Sequence, residues 1–352
     1  MTYLPKPKVK HPGLVKNDLG LTFRDYEGAL STLCAGCGHD SVTAAIIHAC
    51  WHLSIAPHHV AKMSGIGCSS KTPAYFLNAA HGFNSVHGRM PSVTTGAYAA
   101  NRNLIYLGVS GDGDTASIGL GQFVHGIRRK LNMLYIVENN GVYGLTKGQF
   151  SATADLGSPS KTGGSNPYHP IDVASLAISM GAGFVARSFS GDKEQLVPLI
   201  MAGLKHHGFA VIDVISPCVT FNNHEGSTKS YTYVREHEEE IVAADLILPR
   251  EEITANYPEG ATHDITMHDG STLRLHKMAK DYDPCSRQIA MATLQERQTA
   301  GALATGLLYI DPEAQDMHDV MNTVPGSLRD LTYQELCPGK AGLKALRFSG
   351  EN

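Results

Sequence analysis

Between residues 60 and 215 the chain repeatedly sets a short apolar run of strand length beside a longer segment of helical periodicity, and this alternation leaves few folds open. The strand-length runs are 60–64, 104–109, 133–137, 184–188 and 209–215. Between them the spacing predicts helices after Met90 and over 116–129, 171–180 and 193–206. A further helix is expected over 40–54, where an Asp40-Ser41 start precedes spaced apolar residues. Strands that alternate with helices pair in parallel and are covered on both faces, so the expected fold is α/β, a doubly wound parallel sheet. Past Thr220 the texture changes to a charged run over 235–240 and a hairpin-like segment, ITMHDGSTLRL, turning at Asp269-Gly270. The chain is therefore divided into an N-terminal arm (1–30), an α/β domain (31–220) and a C-terminal extension (221–352), with no internal repeat.

With 352 residues, 42% of them hydrophobic, the chain can bury a sizeable core. Lys+Arg at 29 against Asp+Glu at 33, with no long basic run, speaks against a nucleic-acid partner. The apolar stretches are short, and residues 1–10 lack the apolar core of a signal peptide, so a cytoplasmic protein with no membrane contact is expected. In a reducing compartment seven cysteines argue for metal ligation or catalysis rather than disulfides. The 18 histidines are scattered and read mostly as ordinary surface or packed residues.

Directly after the run LIYLGV comes Ser110-Gly111-Asp112-Gly113-Asp114, and 28 positions beyond Asp112, at the end of the next apolar run, come Asn140, Gly141 and Val142. In adjacent parallel strands both segments emerge at the carboxyl edge, where α/β sheets bind ligands. Magnesium takes oxygen donors and shares its shell with phosphates, so Asp112, the Asn140 side chain and a backbone carbonyl near Val142 suit it. The glycines allow close approach to phosphates, and the helix start offers free N–H groups. Taken separately the two motifs read as turns. Together they resemble the G-D-G...N-N signature of thiamine-diphosphate enzymes.

Cys34-Ala-Gly-Cys37 sets two thiols on one turn at a helix start. Cys68 and Cys218 each follow a strand, so three segments can deliver four sulfurs to one place, as a 4Fe-4S cluster requires. Spacing alone suits structural zinc equally well. Cys50, Cys285 and Cys337 lack such settings.

The ordered runs LCAGCGHD, GIGCSSK, HGRMP, GDGDTASIGLGQ and ENNGVYGLTKGQ, continuing to Pro217-Cys218, resemble the β subunit of 2-oxoacid:ferredoxin oxidoreductases over residues 34 to about 220. The resemblance implies a 4Fe-4S cluster on Cys34, Cys37, Cys68 and Cys218, and thiamine diphosphate with Mg2+ on Asp112, Asn140 and Val142. It further implies cofactor contacts from Ile66, Gly67 and Ser69 beside Cys68, from His87-Gly88-Arg89, and from Gly111, Gly113 and Asp114, the last of which reads almost as well as a helix N-cap. Tyr143, Gly144 and Leu145 would pack near the reactive ring. Lys147, in a T-K-G-Q run, would pair with the distal carboxylate of 2-oxoglutarate, which is favoured over pyruvate, and Lys71 is a second cation for substrate or coenzyme A. The implied reaction is coenzyme-A-dependent oxidative decarboxylation of a 2-oxoacid with electrons passed to ferredoxin. No second α/β domain is evident, so an α subunit carrying the pyrimidine-binding domain and activating glutamate is expected, in an (αβ)2 assembly.

Overall fold

The computed structural model describes residues 11–159, 163–247, 262–266, 272–277, 282–325, 330–337 and 339–348. Its strands are β1 (Val60–Ser64), β2 (His81–Asn84), β3 (Ile105–Gly111), β4 (Met133–Asn139), the two-residue β5 (Val142–Tyr143) and β6 (Gln149–Phe150), β7 (Phe184–Phe189), β8 (Phe209–Ile215), β9 (Glu238–Ile247), β10 (Thr262–Thr266), β11 (Thr272–Lys277) and β12 (Leu303–Ile310). Ten of them form one sheet in the order β10-β11-β9-β12-β7-β8-β4-β3-β1-β2. From β7 to β2 every neighbouring pair is parallel. The cause lies in the sequence: β4 and β8 are buried at every position, a state that only helices on both faces can produce.

Those helices are α1 (Gly38–His52), α2 (Met90–Ala100), α3 (Leu120–Arg128), α4 (Val173–Met180), α5 (Lys193–Lys205), α6 (Tyr231–His237) and α7 (Arg287–Ala300). α1 packs on α5, whereas α2, α3, α4 and α7 pack in a row, giving two helix layers. Side-chain caps fix the starts of α4 and α5: Asp172 accepts from Ser175 N (2.8 Å) and Asp192 from Gln195 N (3.1 Å). The helix expected over 116–129 begins only at Leu120, after a wide turn over Gly113–Ile118 closed by Gly119 N donating to Asp114 O at 2.8 Å.

The segment after Thr220 is stitched into the same sheet. β12 runs antiparallel to β7 and parallel to β9, and β9, β11 and β10 follow in antiparallel order. The strands of the expected hairpin therefore pair as β10 and β11, while its turn at Asp269-Gly270 lies outside the described residues. No helix among the described residues is long and apolar enough to cross a membrane.

The strand order reverses at β1, whose neighbours β2 and β3 lie on opposite sides. Such a reversal parts the loops that leave the carboxyl ends of the strands and opens a crevice between them.

Candidate cofactor and cluster site

A cleft of about 560 Å³ occupies this crevice. Ile66, Gly67, Cys68 and Ser69 line it from the loop after β1, Gly111 to Asp114 from the end of β3, and Asn140 and Val142 to Leu145 from the loop after β4, with His87 and Ile118 also on its walls. Most of the residues expected at the cofactor site therefore meet. Gly88, Arg89, Lys71 and Lys147 do not line the cleft.

At its floor Asp112 is 1% exposed. The Ser151 hydroxyl donates to Asp112 Oδ2, Thr153 donates to the same oxygen at 2.5 Å, and Asn140 N reaches Oδ1 at 3.3 Å. Burial pushes the Asp112 carboxyl above its ordinary value, and these donors oppose the shift. A divalent cation would favour the charged form. Asn140 Oδ1 accepts from Val142 N at 3.0 Å, and Asn222 Nδ2 holds the Asn140 carbonyl at 2.8 Å. Gly141, at φ +71°, lets the chain turn here, and a Cβ on it would lie 2.7 Å from Asn222 Nδ2. The Asn-Gly pair is thus a turn and also part of the site, because that turn aims Asn140.

Two features fit an anionic group in the cleft. The Ser69 hydroxyl is buried without a hydrogen-bond partner, the state of a donor that awaits an acceptor. Gly111 leaves that hydroxyl room, since a Cβ there would come within 3.1 Å of it. Asp114 is no N-cap: it lies inside the wide turn, accepts from Gly88 N at 2.7 Å and Ser110 Oγ at 2.9 Å, and so clamps the 87–89 loop to the cleft. The clamp needs two glycines, because a Cβ on Gly88 would approach Gly119 Cα to 2.7 Å. His87 and Arg89 are exposed beside it.

The cysteines gather next to the cleft. Cys37 caps α1, and Gly38 N donates to Pro217 O at 3.3 Å, which ties the cysteine pair to the end of β8. Thr220 Oγ1 lies 3.6 Å from Cys34 Sγ. A Cβ on Gly144 would sit 3.5 Å from both Cys68 Sγ and Cys218 Sγ, so this cleft-lining glycine packs against two sulfurs. The helix start was expected to favour thiolates, yet burial wins: the Cys37 thiol is pushed up to about 12, and Cys68 is raised too, by burial first and then by Cys218. Metal ligation would reverse both shifts. Cys50 is buried in the core, and Cys285 and Cys337 stand apart on other elements.

A buried polar group that sequence reading missed joins these segments. His39, 1% exposed, faces the cleft and sets Nδ1 2.6 Å from Ser216 Oγ and 3.7 Å from Glu138 Oε2. Thr72, four residues past Cys68, donates to both Glu138 oxygens at 3.2 and 3.0 Å. Burial lowers His39 to about 4, so its ring is neutral near pH 7, and burial raises the Glu138 carboxyl well above its ordinary value. The available signal was the position of His39 two residues after Cys37, but a lone histidine carries little weight.

Of the cations, Lys71 is part-exposed and reaches Thr32 O at 3.5 Å, while Lys147 is exposed in a left-handed turn at φ +77°. Leu145 stands at the mouth of the cleft with half its surface in solvent (50%).

Comparison with known proteins agrees with this geometry. Residues 64–214 match the family described as thiamine pyrophosphate enzyme, C-terminal TPP binding domain. A 2-oxoacid:ferredoxin oxidoreductase subunit beta from Saccharolobus solfataricus is 42% identical over 191 residues, 54% of this chain and 63% of that protein. The chain thus spans less than two thirds of that relative's length. A 2-oxoglutarate synthase subunit KorB from Methanocaldococcus jannaschii is 38% identical over 193 residues, 53% of this chain and 69% of that one. Among solved structures, a 2-oxoglutarate:ferredoxin oxidoreductase from Magnetococcus marinus with 2-oxoglutarate, coenzyme A and succinyl-CoA bound superposes with a TM-score of 0.71 at 27% identity, covering 96% of this chain and 99% of its counterpart. With the diphosphate-type cleft, the cysteine set and these likenesses together, the chain belongs to the β-subunit family of 2-oxoacid:ferredoxin oxidoreductases.

Proposed function

We propose that this chain is the catalytic β subunit of a cytoplasmic, coenzyme-A-dependent 2-oxoacid:ferredoxin oxidoreductase acting on 2-oxoglutarate. One observation carries the reading: Gly144 belongs to the wall of the Asp112–Asn140 cleft and is also the residue against which the Cys68 and Cys218 sulfurs rest. A redox centre and a decarboxylating cofactor would therefore be neighbours. When bound, thiamine diphosphate supplies the nucleophilic carbon and electron sink for loss of carbon dioxide, a 4Fe-4S cluster takes the electrons singly, and coenzyme A takes the acyl group.

The residues divide the work of holding these groups. Asp112, the Asn140 side chain and the Val142 carbonyl would hold Mg2+, with the Ser69 hydroxyl and the backbone at Gly67 and Gly113 facing the diphosphate and Tyr143, Gly144 and Leu145 near the reactive end. Cys34, Cys37, Cys68 and Cys218 would hold the cluster. Among the described residues no three of these sulfurs lie within 4.8 Å of one another. Lys147 and Lys71 stand outside the walls; they would reach a distal carboxylate or coenzyme A that projects past Leu145.

The cleft calls for a partner. Ile118 and Leu145 line it and are 51% and 50% exposed, so its lips are apolar surface in solvent. An α subunit bringing the pyrimidine-binding domain and its glutamate would cover them, in an (αβ)2 assembly that reduces ferredoxin.

Anaerobic co-purification with the partner, then coenzyme-A-dependent reduction of a viologen with a panel of 2-oxoacids, tests class, partner and substrate together. The expected preparation is brown and loses its absorption near 400 nm in the Cys218→Ser variant. A colourless complex that turns over no 2-oxoacid would overturn the reading.

A further inference from the structure

His39 lines the same cleft as the cofactor residues, yet it belongs to α1, the helix that carries the cysteine pair. One end of its ring is fixed, with Nδ1 2.6 Å from Ser216 Oγ. The Ser216 hydroxyl has no other acceptor among the described residues, so it donates to Nδ1, which assigns the ring hydrogen to Nε2. Nε2 itself has no partner among the described residues, and it is not one of the fully enclosed polar atoms that lack one. In a side chain 98% buried that lines the cleft, the unpartnered nitrogen can open only into that cleft. Sequence and packing thus aim a fixed N–H donor at the space between the metal edge and the Cys68–Cys218 wall.

We propose that His39 is a catalytic residue whose Nε2–H donates to the keto oxygen of the bound 2-oxoacid, the atom on which negative charge gathers as the keto carbon is attacked. The assignment rests on the cleft being the 2-oxoacid site. A donor held in advance where charge develops needs no reorganisation during the reaction, and losing one such donor typically costs about 100-fold in kcat. Ser216 is then a positioning residue, which fixes the tautomer and tilt of the ring. Glu138, engaged by Thr72, flanks the Nδ1 side of the ring at 3.7 Å, beyond hydrogen-bond reach.

The test uses the complete complex with its partner, prepared anaerobically, in wild-type, His39→Leu, His39→Gln and Ser216→Ala forms. Iron and thiamine diphosphate content, the cluster midpoint potential, kcat and KM are measured. The affinity for an acylphosphonate analogue of the 2-oxoacid, which keeps the keto oxygen but cannot lose carbon dioxide, is measured alongside. His39→Leu is expected to keep its iron, thiamine diphosphate and potential while losing about 100-fold in kcat and about tenfold in analogue affinity. His39→Gln, whose amide nitrogen reaches nearly the same point, should recover about tenfold of the loss in kcat, and Ser216→Ala should fall between. Unchanged kcat and analogue binding in His39→Leu would overturn the proposal. So would loss of iron in all three variants, which would make the ring part of the cysteine scaffold, or a shifted potential with unchanged analogue binding, which would place Nε2 on the cluster. Failure of the underlying reading is told apart by the wild-type complex, which would then turn over no 2-oxoacid at all.

Discussion

The Thr153 hydroxyl donates to Asp112 Oδ2 at 2.5 Å, and through it the carboxylate at the floor of the cleft is tied to charges deep in the sheet. The same hydroxyl lies 2.9 Å from Asn139 Oδ1, Asn139 Nδ2 donates to Asp213 Oδ1 at 2.9 Å, and Arg187 Nε donates to Asp213 Oδ2 at 3.0 Å while its Nη2 grips both oxygens of Asp172. Burial opposes charge on Arg187, but the two aspartates hold it protonated. Partners of this kind orient metal ligands, and their loss typically weakens metal binding by 10- to 100-fold. Thr153→Val should therefore need about tenfold more Mg2+ to retain thiamine diphosphate, with an unchanged melting temperature, as read by Mg2+ titration of cofactor content. Asp213→Asn, which leaves a buried guanidinium half paired, should lower stability by roughly 3 kcal/mol in urea unfolding.

Gly88 gives a backbone test of the clamp. Its φ of +68° and the 2.7 Å approach of a Cβ to Gly119 Cα both oppose any side chain. In Gly88→Ala the 87–89 loop must leave Asp114, and thiamine diphosphate affinity should fall by about tenfold or more in calorimetric titration. A Gly96→Ala control, where a Cβ would meet nothing within 4 Å, should bind normally.

Lys62, on β1, is buried and donates to Pro73 O at 2.7 Å and Phe76 O at 2.8 Å, holding the end of the turn that begins at Cys68. Burial lowers it to about 8 from an ordinary 10.5. The folded chain therefore gives up this proton first, and between those two values the unfolded chain binds more protons. Stability from this group consequently rises with pH across the window and is lost again as pH falls through about 8. Urea unfolding at pH 8, 9 and 10 should show a steeper increase, or a shallower decline, in wild type than in Lys62→Met. Equal slopes would remove the assignment.

Lys147 tests the substrate. If it meets the distal carboxylate, Lys147→Met should raise KM for 2-oxoglutarate by about tenfold, or about 1.4 kcal/mol, and leave pyruvate turnover within a factor of two. Parallel steady-state assays with both acids decide it. Lys71→Met should instead raise KM for coenzyme A or for both acids alike.

Much of this arrangement is readable from the sequence, and the unread parts have physical reasons. The bounds of β1 and β8 follow from mostly apolar runs, because strands buried on both faces need them, and the polar residues within, Lys62 and Asp213, are buried with partners. β2 carries no such mark: His81 to Asn84 form an edge strand exposed at every position, so nothing in their polarity demands a sheet. The wide turn over Gly113–Ile118 was hidden because its apolar spacing continues into α3, while the cause of the turn, the Gly88–Gly119 approach, is a contact across sequence. The same holds within the site. Asp112, Asn140 and the cysteines announce themselves through motif and strand end, whereas Thr153, Ser216 and His39 acquire their roles only when distant segments meet.

The place of β12 has a consequence for how the chain matures. Residues 303–310 slot between β7 and β9, which precede them in sequence, so β9 is joined to the parallel half only after residues 303–310 have been made. The edge that bears the candidate cleft, lined by residues 39–146, can assemble early, while the opposite margin must wait for β12. A chain ending at residue 302 would then display two unzipped ladders, on β7 and on β9, and should aggregate even though every residue lining the candidate cleft has already been made.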